Sequence, residues 1–155
     1  MKLDAIAKQV QSCQKCDLRI ECTQPVPGLG VESAQYFIMG KYPGREEDAT
    51  GLPEVGMAGR RLNKLLELAK IDINDCFITN VVKCKPPTVD HKIRTPTKKE
   101  IKTCLPWLLA ELEAVRFSQI ITLGDIPLSL FSDEGIRTLH GTMLLDAEIL
   151  PRWLK

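Results

Sequence analysis

The sequence predicts an α/β protein with a largely parallel sheet, on three observations. Short apolar, β-rich runs recur at QYFIMG (35–40), CFITNVV (76–82) and SQIITLG (118–124). Between the first two, Leu62, Leu65, Leu66 and Ala69 repeat at the spacing of one helix face. A capped helical segment then separates the second run from the third. Alternating strands and helices of this kind bury their apolar faces by laying helices on a parallel sheet. A length of 155 residues fits one domain, 1–155, with a single core.

The elements follow in order. Residues 3–12 read as a helix leading into CQKC, and 17–34 as loop punctuated by QPVPGLG. The first strand ends at Gly40. It opens onto a loop with glycines at 40, 44, 51, 56 and 59, prolines at 43 and 53, and consecutive acids at 46–48. Such a loop lets a main chain approach a ligand closely. A helix over AGRRLNKLLELAK precedes the second strand. The prolines of KCKPPTVDHKIRTP (83–96) exclude regular structure there. Thr97 with Glu100 forms a capping box opening a helix towards Val115, which Pro106 should kink or divide. Asp125 should cap a short helix carrying Leu128, Leu130 and Phe131, and TMLLDAEIL (142–150) reads as a fourth strand. Parallel sheets bind ligands at the carboxyl ends of their strands. The 40–59 loop, Asn80 and Gly124–Asp125 all fall there.

Hydrophobic content of 44% and charged content of 26% are those of an ordinary soluble domain. No apolar run is long enough to span a bilayer. The opening MKLDAIAKQV lacks the apolar centre of a signal peptide. The expected location is the cytoplasm, with no membrane partner. A net charge of +1 does not by itself announce nucleic acid. Positive charge is nevertheless concentrated at Lys83, Lys85, Lys92, Arg94, Lys98, Lys99 and Lys102, against Asp90 and Glu100. This is either a solvated face or a phosphate-contacting patch.

Of the six cysteines, Cys13 and Cys16 have the spacing that lets adjacent thiolates hold one metal centre. Cys84 and Cys104 flank the basic loop. Together the four suit a [4Fe–4S] cluster or a structural zinc, and either would tether the N-terminal segment to that loop. Cys22 and Cys76 are read as spare, with Cys76 packed in the core.

VPGLG (26–30), GKYPGREED (40–48), GLPEVGMAGRRL (51–62), ITNVVKCKPP (78–87), EIKTCLPWL (100–108) and IITLG (120–124) occur in the order found in family 4 uracil-DNA glycosylases, which this chain resembles from residue 13 to about 124. The resemblance implies a three-layer α/β/α sandwich around a mostly parallel four-stranded sheet, with a [4Fe–4S] cluster on Cys13, Cys16, Cys84 and Cys104. It implies a DNA partner, single-stranded or a uracil-containing duplex, held by Lys83, Lys85, Lys92, Arg94, Lys98 and Lys99. The base pocket would comprise Gly40, Tyr42, Pro43, Gly44, Glu54 and Asn80, with Asn80 reading the base edge. The superfamily also has members that serve polymerase assemblies, which makes a replication or repair protein a further expected partner.

The sequence departs from the family at catalytic positions. Lys41 stands where relatives carry an acid, and Glu54 where they carry phenylalanine. The His-Pro-Ser type motif has no counterpart in ILPRWLK, and neither His91 nor His140 lies in such a context. Base excision builds positive charge on the sugar and negative charge on the leaving base. Two unit charges about 4 Å apart interact by roughly 4 kcal/mol at an effective dielectric near 20. Exchanging a carboxylate for an ammonium reverses that interaction, which is a rate loss of about a thousandfold or more. The expectation is a DNA-binding or partner-binding protein with excision weak or lost, its pocket closed by a Lys41–Glu54 ion pair. The acids at 46–48 should cap the following turn or stay solvated. The alternatives are an active glycosylase using Lys41 as an amine nucleophile on uracil or a modified base, and a metal-stabilised interaction domain without a DNA role.

Overall fold

The computed structural model describes residues 2–143. Its main sheet contains, in spatial order, β1 (Leu29–Gly30), β3 (Cys76–Asn80), β2 (Tyr36–Gly40) and β6 (Gln119–Thr122). β2 is central and parallel to both neighbours, with Ile38 opposite Ile78 and Ile121. β1 runs antiparallel to β3. The sheet is mostly parallel, as the alternation of elements requires. Its fourth described strand comes from the segment read as loop at 17–34, because a strand of two residues has no alternation to detect. The strand expected at 142–150 lies almost wholly outside the described residues.

Period-two alternation sorts the strands' side chains into two cores. Phe37, Met39 and Phe77 pack with Leu105 and Leu108 of α5 (Lys98–Ala114) on one face. Ile38, Cys76 and Ile78 pack with Leu62 and Leu66 of α4 (Met57–Leu68) on the other. Cys76 is therefore the core residue it was expected to be. α1 (Leu3–Gln11) packs against α5. The result is a helix layer on each face of the sheet.

The capping box forms: Thr97 Oγ1 accepts the Glu100 N–H, and Glu100 accepts the Thr97 N–H at 2.7 Å. Of the kink or division expected at Pro106, division does not occur: α5 is continuous from Lys98 to Ala114. Pro106 and Lys102, whose carbonyl it leaves without a helical donor, are both exposed, so water can hydrate that carbonyl. The proline-rich loop also holds more structure than expected. β4 (Thr88–Val89) and β5 (Lys92–Ile93) form a hairpin. Its two-residue turn puts Asp90 and His91 at φ 47° and 63°, as a primed turn demands. The prolines bracket these strands instead of interrupting them.

Short helices α2 (Leu18–Glu21) and α3 (Arg45–Thr50) complete the loops on either side of β2. Gly124, not Asp125, is the N-cap of α6 (Asp125–Leu128). The Asp125 carboxylate instead accepts the N–H of Ile136, at the start of α7 (Ile136–Leu139). Among the described residues no helix is long and apolar enough to cross a membrane.

Candidate functional site

β2 and β3 end side by side, with Gly40 paired to Asn80. Alternation sends Thr79 towards α5 and Asn80 to the α4 face. Asn80 is 3% exposed; its carbonyl accepts from Lys83 Nζ at 2.7 Å, and its side-chain amide lies against Gly40. A Cβ on Gly40 would lie 2.5 Å from Asn80 Oδ1 and 3.3 Å from Glu54 Oε1. Glycine here lets both side chains converge over bare backbone.

Glu54 adopts a left-handed conformation, φ 55°, which tips its carboxyl over Gly40. Gly59 permits this turn, since a Cβ there would lie 1.6 Å from the Glu54 carbonyl oxygen. Glu54 Oε2 is buried and unpartnered among the described residues. Burial, and then the negative charge of Glu47, raise the Glu54 carboxyl above its ordinary range.

The expected Lys41–Glu54 ion pair does not form. Lys41 follows Gly40 in the strand's alternation and leaves on the opposite side. Its Cε lies 2.7 Å from where a Gly124 Cβ would be, and the residue is exposed. An exposed Lys41 lies outside the enclosed setting that the amine-nucleophile alternative assumed. Tyr42, half-buried, packs on the α5-side core and donates to the Ile93 carbonyl at 3.5 Å, linking the loop to the hairpin. Pro43 is buried, and Gly44 caps α3.

The consecutive acids have separate tasks. Glu46 is exposed and pairs with Arg60 at 3.3 Å. Glu47 accepts the N–H of Gly56, the N-cap of α4, at 2.7 Å, which is the capping role anticipated. Asp48 neither caps nor stays solvated: it is buried and accepts the Thr23 N–H and hydroxyl at 2.9 and 2.8 Å.

The basic segment divides. Lys83 leaves the phosphate-contacting set: it is 1% exposed, and its Nζ donates to Glu111 Oε2 at 2.6 Å, the Asn80 carbonyl at 2.7 Å and Thr79 Oγ1 at 2.5 Å. Glu111 also accepts the Gly28 N–H at 2.9 Å. Following Asn80 by three residues, Lys83 folds back under the strand end, a contact the charge pattern could not reveal. Arg94 makes a two-pronged pair with Glu100 at 2.9 and 2.6 Å, which holds the Glu100 carboxyl down at about 2. Lys85 is half-buried, with its Nζ 3.5 Å from the Pro86 carbonyl. Lys92, Lys98 and Lys99 are exposed. The last two occupy the first turn of α5, where like-signed helix-dipole charge opposes them.

The N-terminal cysteines come together with those flanking the basic loop. Burial raises the Cys16 thiol, with a further contribution from Cys13. Burial raises Cys104 to about 11, against the opposing charge of Lys83 and with contributions from Cys16 and Cys13. Cys22, read as spare, donates its S–H to the Arg19 carbonyl at 3.8 Å and lies beside Cys84. The proximity of the two thiols lowers Cys22 to about 7 and raises Cys84, which burial and Cys104 reinforce. Cys22 belongs to no paired-cysteine spacing and is the C-cap of α2. The Lys83 N–H donates to Cys104 Sγ at 3.2 Å, and Trp107 Nε1 to Cys13 Sγ at 3.3 Å. Trp107 is half-buried against the α5-side core, with Lys15 Nζ 4.3 Å from its ring centroid. Among the described residues no three His, Cys, Asp or Glu side chains converge as a single-ion site.

The family model for the uracil DNA glycosylase superfamily matches residues 27–152. The chain belongs to that superfamily. A type-4 uracil-DNA glycosylase of Archaeoglobus fulgidus is 43% identical over 79% of this chain and 59% of its own length. One from Saccharolobus solfataricus is 43% identical over 79% of this chain and 55% of its own. One from Thermotoga maritima is 39% identical over 84% of this chain and 66% of its own. The chain thus spans somewhat over half the length of these curated relatives. In this superfamily member, Gly40, Asn80 and Glu54 meet at the carboxyl ends of the parallel strands, and the thiols lie across the Lys83 network from them.

Proposed function

We propose that this chain binds DNA and takes an unstacked base over Gly40, where Asn80 reads its edge, with base excision weak at most. The observation that carries this reading is the Asn80 amide. Among the described residues Asn80 is hydrogen-bonded through its carbonyl, which leaves the N–H₂ and oxygen of its side chain for a base edge brought to the ends of β2 and β3, and base-extruding proteins read an extruded base in this way. Exposed Lys92, Lys98 and Lys99 supply positive charge for phosphates.

Weak excision rests on the loop's acids. Glu46, Glu47 and Asp48 are each committed to Arg60, Gly56 or Thr23, so none substitutes for the carboxylate the resemblance leads one to seek at Lys41. Glu54 offers no ring to stack and places an acid beside the leaving base.

The thiols suit an iron–sulfur group. Clustered cysteines raise one another's proton affinity, a cost that a cationic centre removes by holding them as thiolates. A cluster takes one thiolate at each iron, so it fits a spread donor set better than zinc, which needs all donors at one point. Cys13, Cys16, Cys84 and Cys104 would hold it, with Cys22 beside Cys84. Its contribution here is to fasten the N-terminal segment to α5 and the hairpin.

Fluorescence anisotropy with oligonucleotides carrying one unpaired target base tests the reading. Asn80→Ala should weaken binding about tenfold or more, since a good edge contact is worth roughly 1–3 kcal/mol. Lys98→Ala/Lys99→Ala should weaken it for every sequence and flatten its salt dependence. Equal binding by wild type and Asn80→Ala overturns the base pocket, and rapid uracil release at catalytic protein concentrations overturns weak excision.

A further inference from the structure

Lys83 is 1% exposed and cannot meet a phosphate, yet its ammonium ends on the main chain of Asn80. The neighbouring strand shows why a donor is needed there. The Val81 N–H donates to the Gly40 carbonyl at 3.0 Å, on the β2 side. In a trans peptide the carbonyl points the opposite way, so the Asn80 carbonyl faces the β1 side. β1 sets Leu29 opposite Ile78 and Gly30 opposite Phe77. Continued by two residues, that register puts Pro27 opposite Asn80. Alternate pairs of an antiparallel ladder exchange hydrogen bonds, and proline has no N–H to give. The Gly28 N–H goes to Glu111 Oε1 at 2.9 Å. A buried carbonyl left without a donor is costly. Lys83 Nζ supplies one at 2.7 Å, itself anchored by Glu111 Oε2 at 2.6 Å and Thr79 Oγ1 at 2.5 Å.

We infer that Lys83 is a positioning residue for base reading: its ammonium replaces the strand donor that Pro27 lacks and fixes the peptide from which the Asn80 side chain leaves. The inference rests on the base-reading role proposed for Asn80 and adds the group that holds it. A reading side chain must be kept within about 0.5 Å of its productive place by what packs behind it. Here the β2 ladder holds the Asn80–Val81 peptide on one side and the Lys83 ammonium holds it on the other. Buried and committed to three oxygens, Lys83 acts on DNA only through Asn80.

The test is a cycle of binding measurements on oligonucleotides carrying one unpaired target base. Lys83→Met/Glu111→Leu removes the ammonium without stranding a charge. It should bind nearly as weakly as Asn80→Ala, with the salt dependence of wild type, since no phosphate contact is lost. Adding Asn80→Ala to it should weaken binding by less than about twofold, because residues that act as a unit are not additive. Thermal melting checks folding. Where Lys83→Met/Glu111→Leu does not melt cooperatively, Thr79→Val, which takes away one anchor of the ammonium, goes through the same cycle and decides. Additive losses from the two sites, an affinity equal to that of wild type, or a flatter salt dependence overturns the inference. If the losses are additive while Asn80→Ala weakens wild type, Asn80 still reads the base and only the role of Lys83 falls. If wild type does not respond to Asn80→Ala, both fall.

Discussion

At the scale of one residue, Glu54 makes a prediction about stability. Its folded-state carboxyl is raised by burial and by Glu47. A group that holds its proton more tightly when folded contributes stability at acid pH, and that contribution is lost as pH rises through the folded-state value. Glu54→Gln, which cannot ionise, should therefore be more stable than wild type near neutral pH, with the difference vanishing below the ordinary carboxylate range. Urea unfolding at the two pH values measures this; an equal difference at both would exclude ionisation as the cause. Gly59 is a sharper case. A methyl group there meets the Glu54 backbone carbonyl at 1.6 Å, so neither can yield without moving the turn or α4. Gly59→Ala should cost more than about 3 kcal/mol, read from the denaturation midpoint, and a loss below about 1 kcal/mol would mean that the turn relaxes freely.

Between elements, the Lys83–Glu111 pair joins β3, α5 and the 26–28 segment inside the core. Removing one partner of a buried pair strands the other charge, whereas replacing both with apolar groups does not. Lys83→Met should cost about 3–5 kcal/mol, and Lys83→Met/Glu111→Leu should recover most of it. A double variant no better than the single would locate the effect in packing. Much at this scale was legible in sequence. The strands at 36–40, 76–80 and 119–122 announce themselves by apolar runs, α4 by its repeat, and the start of α5 by its capping box. β1 and the β4–β5 hairpin did not, because two-residue strands carry no period and their existence depends on what lies beside them. Lys83 looked like its exposed neighbours because a charge run does not say which member points inward.

For the whole molecule, the Tyr42–Ile93 hydrogen bond ties the pocket loop to the hairpin, and the Arg94–Glu100 pair ties the hairpin to α5. The Arg94–Glu100 pair holds Glu100 down at about 2. A depressed carboxyl contributes stability that is present above its unfolded value and lost as pH falls through the folded one. Acid unfolding should show such a loss between about pH 4 and pH 2, and Glu100→Gln should be less stable at neutral pH and flatter across that window. An identical acid profile in the variant would assign the loss to other carboxylates. If the thiols carry the proposed cluster, protein purified without air should be brown, absorbing near roughly 400 nm. Cys84→Ser or Cys104→Ser should bleach it and lower the melting temperature. Colourless protein that gains no iron on anaerobic reconstitution would remove the cluster from the account.

Taken alone, the amino-acid order determined the alternation of strands and helices, the glycine loop at the strand ends, the position of Asn80 and the likeness to glycosylases of family 4. These are written in local spacing, and local spacing survives without a third dimension. Only the tertiary structure decided that Lys41 and Glu54 part company, that Lys83 serves the core, that Asp48 is buried and that Cys22 meets Cys84. Each of those outcomes depends on the direction in which a side chain leaves its backbone and on what a distant segment places opposite it, and neither quantity is a property of neighbouring residues.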